Sequence, residues 1–281
     1  MTASEKKQLE ITACHVRMGI IEGTHAAKSG HPGGSLSATD ALTYLYFKEM
    51  HIDPKAPKAE DRDRFVLSKG HAAPALYATL AKRGFFPMED MGHLRHMGSY
   101  LQGHPNMNTV PGVDMSTGSL GQGVSAAVGM ALAAKHQQKP CRVYAILGDG
   151  EIQEGQVWEA FMFAAHYKLN NFCAIIDNNN LQIDGTVQAV MSPYPIDEKL
   201  AAFGFQVICI DGHDFEQLES AFAAARTCTT KPSVVIMKTA KGKGVSFMEN
   251  QVGWHGKAPN DEEYARAMEE LRARLNELEA K

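Results

Sequence analysis

Gly148-Asp149-Gly150-Glu151-Ile152-Gln153-Glu154-Gly155 follows a short apolar run, Arg142 to Leu147, and Asp177-Asn178-Asn179-Asn180 follows a second such run, Phe172 to Ile176. Short, largely apolar runs bounded by turn-forming residues mark buried strands. The pair predicts neighbouring strands of an α/β sheet, with both polar pieces at their carboxyl ends, where doubly wound sheets bind ligands. The two pieces carry the chemistry of a cation and diphosphate clamp. Mg2+ and Ca2+ need oxygen ligands, and the Asp149 carboxylate, the Asn179 amide oxygen and a backbone carbonyl just beyond offer three of them. Gly148 and Gly150 let the backbone approach phosphates, and the segment Gln153 to Tyr167 brings a helix N-terminus towards them. Either piece alone is an ordinary turn. Together, after two strands, they single out a site.

Outward from these strands, Phe65 to Leu67, Phe205 to Ile210 and Ser233 to Met237 read as further strands. They alternate with helical segments at Val157 to Tyr167, Asp197 to Phe203 and Phe215 to Ala225. That alternation is the grammar of a parallel sheet, and right-handed crossovers place helices on both faces. Leu9 to Ala27, Leu36 to Met50 and the small-residue stretch Leu120 to Ala134 read as helices, as does the charged tail Asp261 to Leu278, with Asn260 and Glu263 forming a capping box. Met91 to Ser119 is rich in Gly, Pro, His and Asn without a periodic pattern, so long a loop being usually functional. It is the expected wall of the active site. The whole chain, 1–281, is expected to be one doubly wound, mainly parallel α/β domain with helices on both faces.

Composition narrows the function classes. With 281 residues and 44% hydrophobic content the chain has ample material for a core. Its 28 basic and 32 acidic residues give a net charge of -4, which supplies no global field for nucleic acid or an anionic membrane. The opening MTASEKKQLE lacks a signal peptide's apolar core and no stretch is long enough to span a bilayer, so a cytoplasmic protein is expected. Cys14, Cys141, Cys173, Cys209 and Cys228 show no CxxC spacing and sit mostly in apolar runs, the pattern of buried, reduced thiols. Neither the phosphate loop GxxxxGK[ST] nor the fingerprint GxGxxG of nucleotide-binding modules is found.

GDGEIQEG followed by DNNNLQIDG resembles the thiamine diphosphate signature, and the surrounding segments resemble the N-terminal domain of transketolase. The resemblance runs through AAKSGHPGGSLSATDAL, LSKGHAAPALYATL, GHPNMN, STGSLGQGVSAAVGMALA, KTAKGKG and GWHGKAPN, nearly the whole chain, in family order. It implies a thiamine diphosphate-binding fold and transfer of a two-carbon ketol unit from a ketose, or ketose phosphate, to an aldose or aldose phosphate. Pentose phosphate metabolism is the default setting, and a specialised sugar route stays open.

Carried over by position, the resemblance makes Asp149 and Asn179 side-chain ligands of Mg2+ or Ca2+ and Leu181 a ligand through its carbonyl. Gly150 would bind the diphosphate through its backbone, Gly118 and Leu120 would line the aminopyrimidine, and Ile183 would pack near the thiazolium. Four of the twelve histidines stand in Gly- or Pro-flanked loops: His31, His71, His104 and His255. Imidazoles suit hydroxyl recognition and proton movement near neutral pH. The resemblance places His71 near cofactor phosphates and substrate, His104 near the donor's terminal hydroxyl, and His31 and His255 at the reacting oxygens, with His255 also against the cofactor. Lys69, Lys241, Lys243 and Arg95 are left out of the site, because lysines in glycine-rich loops are usually solvated.

In the family a glutamate from a second, pyrimidine-binding domain activates the cofactor across a subunit interface. No such domain follows GWHGKAPN in this chain. The expectation is a split enzyme in which a separate C-terminal subunit supplies it, as an assembly of two plus two chains. Two alternatives stay open: another thiamine diphosphate enzyme, of the deoxyxylulose phosphate synthase or two-oxoacid dehydrogenase α type, and a non-catalytic thiamine-binding regulatory subunit.

Overall fold

The computed structural model describes residues 1–280. Five strands, β1 (Arg64–Leu67), β2 (Val143–Gly148), β3 (Phe172–Asn178), β6 (Gln206–Asp211) and β7 (Ser233–Lys238), form one sheet in the order β1-β2-β3-β7-β6. Every neighbouring pair is parallel. Between β3 and β6 lies a two-stranded antiparallel hairpin, β4 (Leu181–Gln182) with β5 (Gly185–Thr186).

Alternation along β2 explains the layering. Val143, Ala145 and Leu147 face one side, where they pack with α4 (Gln122–His136), α5 (Gly155–His166) and α7 (Ile196–Ala202) through Val124, Val157, Phe161 and Leu200. Tyr144 and Ile146 face the other side. That side carries α1 (Ala3–Ala26), α2 (Pro32–Tyr44), α3 (Ala73–Arg83) and α8 (Phe215–Thr227), represented by Ile20, Leu36, Leu76 and Phe222. Strands buried on both faces read as unbroken apolar runs rather than alternating ones. From β1 to β3 the chain steps in one direction; it then overshoots to β6 and returns through α8 to insert β7. A right-handed return forces α8 onto the opposite face from α5 and α7. A short helix, α6 (Val187–Met191), follows the hairpin, and α9 (Asp261–Ala280) lies along α1.

Strand positions match the sequence expectation to within a residue or two at each end. The expected helices are all present, with three informative differences. α1 begins at Ala3 rather than Leu9, because Thr2 and Glu5 close a capping box ahead of the apolar pattern. α2 starts at Pro32 and gives way at Leu45–Glu49 to a π turn, which splits the continuous helix expected over Leu36 to Met50. α5 starts at Gly155, after a 3-10 turn at Glu151–Gln153. The expected Asn260 and Glu263 box is formed: each side chain accepts from the other's backbone N–H, at 2.8 and 2.9 Å. The thiol expectation needs one correction. Cys14, Cys141 and Cys173 are buried, but Cys209 is exposed and Cys228 partly so, since β6 is an edge strand with solvent-facing positions. Among the described residues no helix is long and apolar enough to cross a membrane.

Candidate functional site

The register of β2 and β3 sets Gly148 opposite Asp177, so the GDG turn and the Asn-rich loop leave the sheet side by side. Asp149 is only 2% exposed. One of its carboxylate oxygens accepts from the Gly150 N–H at 2.8 Å and the other from the Asn180 N–H. The Asn179 amide oxygen accepts from the Leu181 N–H at 3.1 Å. Thus the three expected oxygen donors, Asp149, Asn179 and the Leu181 carbonyl, belong to one hydrogen-bonded junction at the carboxyl edge. Burial, and then the neighbouring Asp177 charge, push the Asp149 carboxyl up to about 7.

Behind this junction stands a second carboxylate, the first residue of the Asn-rich piece, to which the sequence assigns no role. Asp177 is fully buried and accepts from Lys69 Nζ, from Thr239 Oγ1, from Ser37 Oγ at 2.5 Å and from Asn179 Nδ2 at 3.4 Å. Burial alone raises its carboxyl, but the Lys69 charge and these hydrogen bonds outweigh it and hold the group below the usual range.

Lys69 and Lys241 are each only 2% exposed, which corrects the expectation of solvated lysines. Lys241 Nζ donates to the Leu181 carbonyl at 3.0 Å and lies 2.9 Å from His255 Nδ1. Burial and the Lys69 charge lower its ammonium to about 8. A signal was present in the sequence: the lysines come two and three residues after strands β1 and β7, and so reach the same sheet edge as Asp149. Lys243 is a surface residue facing Glu249, as a lysine in such a loop should be.

Three loop histidines form a cluster. The His31 ring centroid lies 5.2 Å from that of His71 and 5.5 Å from that of His255, with 5.3 Å between His71 and His255. Burial comes first, and the charges of Arg95 and Lys241 add to it, in lowering His31 to about 4. Burial and Lys241 lower His255 to about 3, and burial with the Lys69 charge lowers His71 well below its ordinary value. All three are therefore neutral imidazoles near pH 7. His104 stands apart from this trio in the expected wall loop, its backbone carbonyl accepting from the Tyr77 hydroxyl at 2.9 Å. Its ring is packed on Gly118, where a Cβ would come within 3.2 Å of it. A Cβ on Gly70 would meet the Gly118 nitrogen at 2.7 Å, so glycine at 70 is what lets the His71 loop and the His104 wall close together.

Glu151, also unselected, ties three loops to one carboxylate. It accepts from Ser68 Oγ at 2.6 Å, from the Gly121 N–H at 3.0 Å and from the Gly148 N–H at 3.1 Å. By contrast Glu154, at the start of α5, is exposed. Leu120 and Ile183, expected at the cofactor rings, are large aliphatics left 36% and 64% exposed.

A cation and a diphosphate fit these residues. The donor set is a carboxylate, an amide oxygen and a carbonyl, suited to a hard cation, and two buried ammonium groups flank it. Asn180 Oδ1 and His31 Nδ1 are buried at this edge without a hydrogen-bond partner. Such orphaned polar atoms are costly unless a ligand or water completes them.

A family profile described as "Transketolase, thiamine diphosphate binding domain" matches residues 9–276. The chain is 47% identical over 269 residues to the 6-deoxy-6-sulfo-D-fructose transketolase subunit SqwG of Clostridium sp. (strain MSTE9), covering 96% of this chain and 98% of that protein. It is 43% identical over 271 residues to an apulose-4-phosphate transketolase subunit of Phocaeicola vulgatus, covering 96% of each. Against the transketolase of Homo sapiens it is 45% identical over 255 residues, 89% of this chain but 40% of that protein. The crystal structure of transketolase from Campylobacter jejuni subsp. jejuni NCTC 11168 aligns with a TM-score of 0.87 at 33% identity, over 99% of this chain and 46% of that one. The chain thus spans nearly the full length of the two bacterial subunits and less than half of the longer transketolases. It belongs to the transketolase family, as a thiamine diphosphate-binding domain of that family.

Proposed function

We propose that this chain is the diphosphate-binding subunit of a split transketolase, a transferase that moves a two-carbon ketol unit between sugars once a partner subunit is bound. One observation carries the reading: the oxygen donors of Asp149, Asn179 and Leu181 gather where β2 and β3 end side by side, in a chain that matches transketolase subunits over almost their whole length. We take residues 1–281 as a single diphosphate-binding domain and a separate chain as the source of the pyrimidine-binding domain, in a two plus two assembly. The exposure of Leu120 and Ile183 supports this division, because aliphatics assigned to the cofactor rings need a second surface to close over them.

Thiamine diphosphate, when bound, supplies the electron sink that lets the bond beside a ketose carbonyl break. The protein's part is to hold and orient. Asp149, Asn179 and the Leu181 carbonyl would ligate Mg2+ or Ca2+, and the Gly150 backbone with the buried Lys241 ammonium would meet the diphosphate, while Lys69 balances the Asp177 charge behind them. Gly118, Leu120 and Ile183 would shape the ring-binding walls. His31, His71, His104 and His255 would hydrogen-bond sugar hydroxyls and move protons at the substrate's oxygens, a task that neutral rings can perform as donor or acceptor. Substrates are a ketose donor and an aldose acceptor, free or phosphorylated. Three buried thiols accord with a cytoplasmic setting.

The test is reconstitution with a chain carrying the remaining transketolase domains. Ketol transfer should require both chains, thiamine diphosphate and a divalent cation. Comparable transfer by the purified single chain would refute the division of labour.

A further inference from the structure

Lys241 owes its position to a turn whose backbone is held from four directions. The Ala240 N–H donates to His213 Nε2 at 2.9 Å, and the Lys243 carbonyl accepts from Arg17 Nε at 3.0 Å. The Gly242 N–H donates to the Gly33 carbonyl at 3.0 Å, and the Lys241 carbonyl accepts from the Asn250 N–H at 2.8 Å. The first two holds converge on one buried carboxylate. Asp40, on α2 and 4% exposed, accepts through the same oxygen from Arg17 Nη2 at 2.6 Å and from His213 Nδ1 at 2.7 Å.

These bonds fix the His213 tautomer. A ring nitrogen that accepts from a backbone N–H carries no proton, so Nε2 is bare and the proton sits on Nδ1, aimed at Asp40. A carboxylate that orients an imidazole by its far nitrogen is a recurring way to lock a ring whose other nitrogen does the work. Here the work is mechanical: the ring grips the amide directly before Lys241, whose ammonium meets the Leu181 carbonyl and His255.

We propose that Asp40 and His213 are positioning residues that set Lys241 against the cation and diphosphate clamp, acting through the Ala240 N–H. Neither touches the clamp, and the proposal rests on the cofactor-binding reading given above. Its chemistry is separable by two substitutions. Asparagine at 213 keeps a donor near the Nδ1 position for Asp40 but offers no acceptor to Ala240. Glutamine reaches to the Nε2 position with an amide oxygen and restores that acceptor.

The experiment has two readouts. Hydrogen–deuterium exchange of the full chain reports the Thr239 to Gly244 amides without any cofactor, since a protected amide exchanges only when its bond opens. Titration of thiamine diphosphate with Mg2+ into the reconstituted complex reports affinity. His213→Asn should speed exchange in that segment by about tenfold and weaken cofactor affinity by about tenfold, the scale of one lost buried hydrogen bond. His213→Gln should restore both towards wild type. Unchanged exchange in His213→Asn overturns the proposal. So does equal loss in both variants, or global unfolding of both, because either result means that the ring serves only to fill space. A wild-type complex that binds no thiamine diphosphate would sink the cofactor reading, while the exchange comparison would still decide what His213 does to the turn.

Discussion

Lys69 and Asp177 form a buried ion pair across the end of β2: they leave β1 and β3, the two strands that flank it, and the Lys69 stem passes 3.7 Å from where a Cβ on Gly148 would sit. The pair therefore braces the GDG turn from behind. Removing one partner leaves an uncompensated buried charge, which costs about 3–5 kcal/mol. Lys69→Met should lower the unfolding free energy by that amount in urea denaturation. A loss below about 1 kcal/mol would mean that the Asp177 charge is neutralised by something other than Lys69.

Glu151 should behave as a structural clasp. Glu151→Ala strands the Gly121 and Gly148 amides and the Ser68 hydroxyl together, and each buried unsatisfied group costs about 1–3 kcal/mol. The expected loss is roughly 3 kcal/mol or more, with amide exchange rising in all three loops. Exchange confined to the GDG turn would contradict a shared clasp.

Acid should weaken the free chain in a window set by His31. Its folded value, about 4, lies below the ordinary 6.5, so the unfolded chain binds the proton more readily. The contribution is fully present above pH 6.5 and is lost progressively as pH falls towards 4. Stability measured between those values should fall less steeply in His31→Asn than in wild type. Identical slopes would show that His31 protonates in the folded state as easily as in the unfolded one.

Much of this architecture was legible because β2 and β3 are buried on both faces, and so announce themselves as apolar runs ending in polar turns. The capping pair Asn260 and Glu263 was legible for a similar reason, since its chemistry is local. α3 was not resolved as an element by the sequence, although its residues lie in the quoted GHAAPALYATL stretch, because Ala- and Leu-rich runs carry little periodic contrast. Lys69 and Lys241 escaped because charge in a glycine-rich loop reads as solvated until the fold shows which strands end side by side, and Asp177 because it lies in the same Asp-Asn run as the expected ligand Asn179 and only its burial sets it apart. Asp40 and His213 meet only across 173 positions of sequence, a contact that no local pattern encodes.

Ligand removal at the clamp separates its parts. Chelation of the divalent cation in the reconstituted complex should release thiamine diphosphate, because the diphosphate would then lose its link to the oxygen donors of Asp149, Asn179 and Leu181. Cofactor retained at full occupancy after chelation would show that Lys241 and the Gly150 backbone suffice.

The most direct measurement is the affinity of the reconstituted complex for thiamine diphosphate, titrated with and without Mg2+, for wild type and Asp149→Ala. Wild type should bind in a strictly Mg2+-dependent manner, and Asp149→Ala should lose at least about a hundredfold in affinity, as expected when a hard cation loses its one anionic protein ligand. Equal, Mg2+-dependent affinity in the two proteins would contradict the placement of the cation at the β2 and β3 edge.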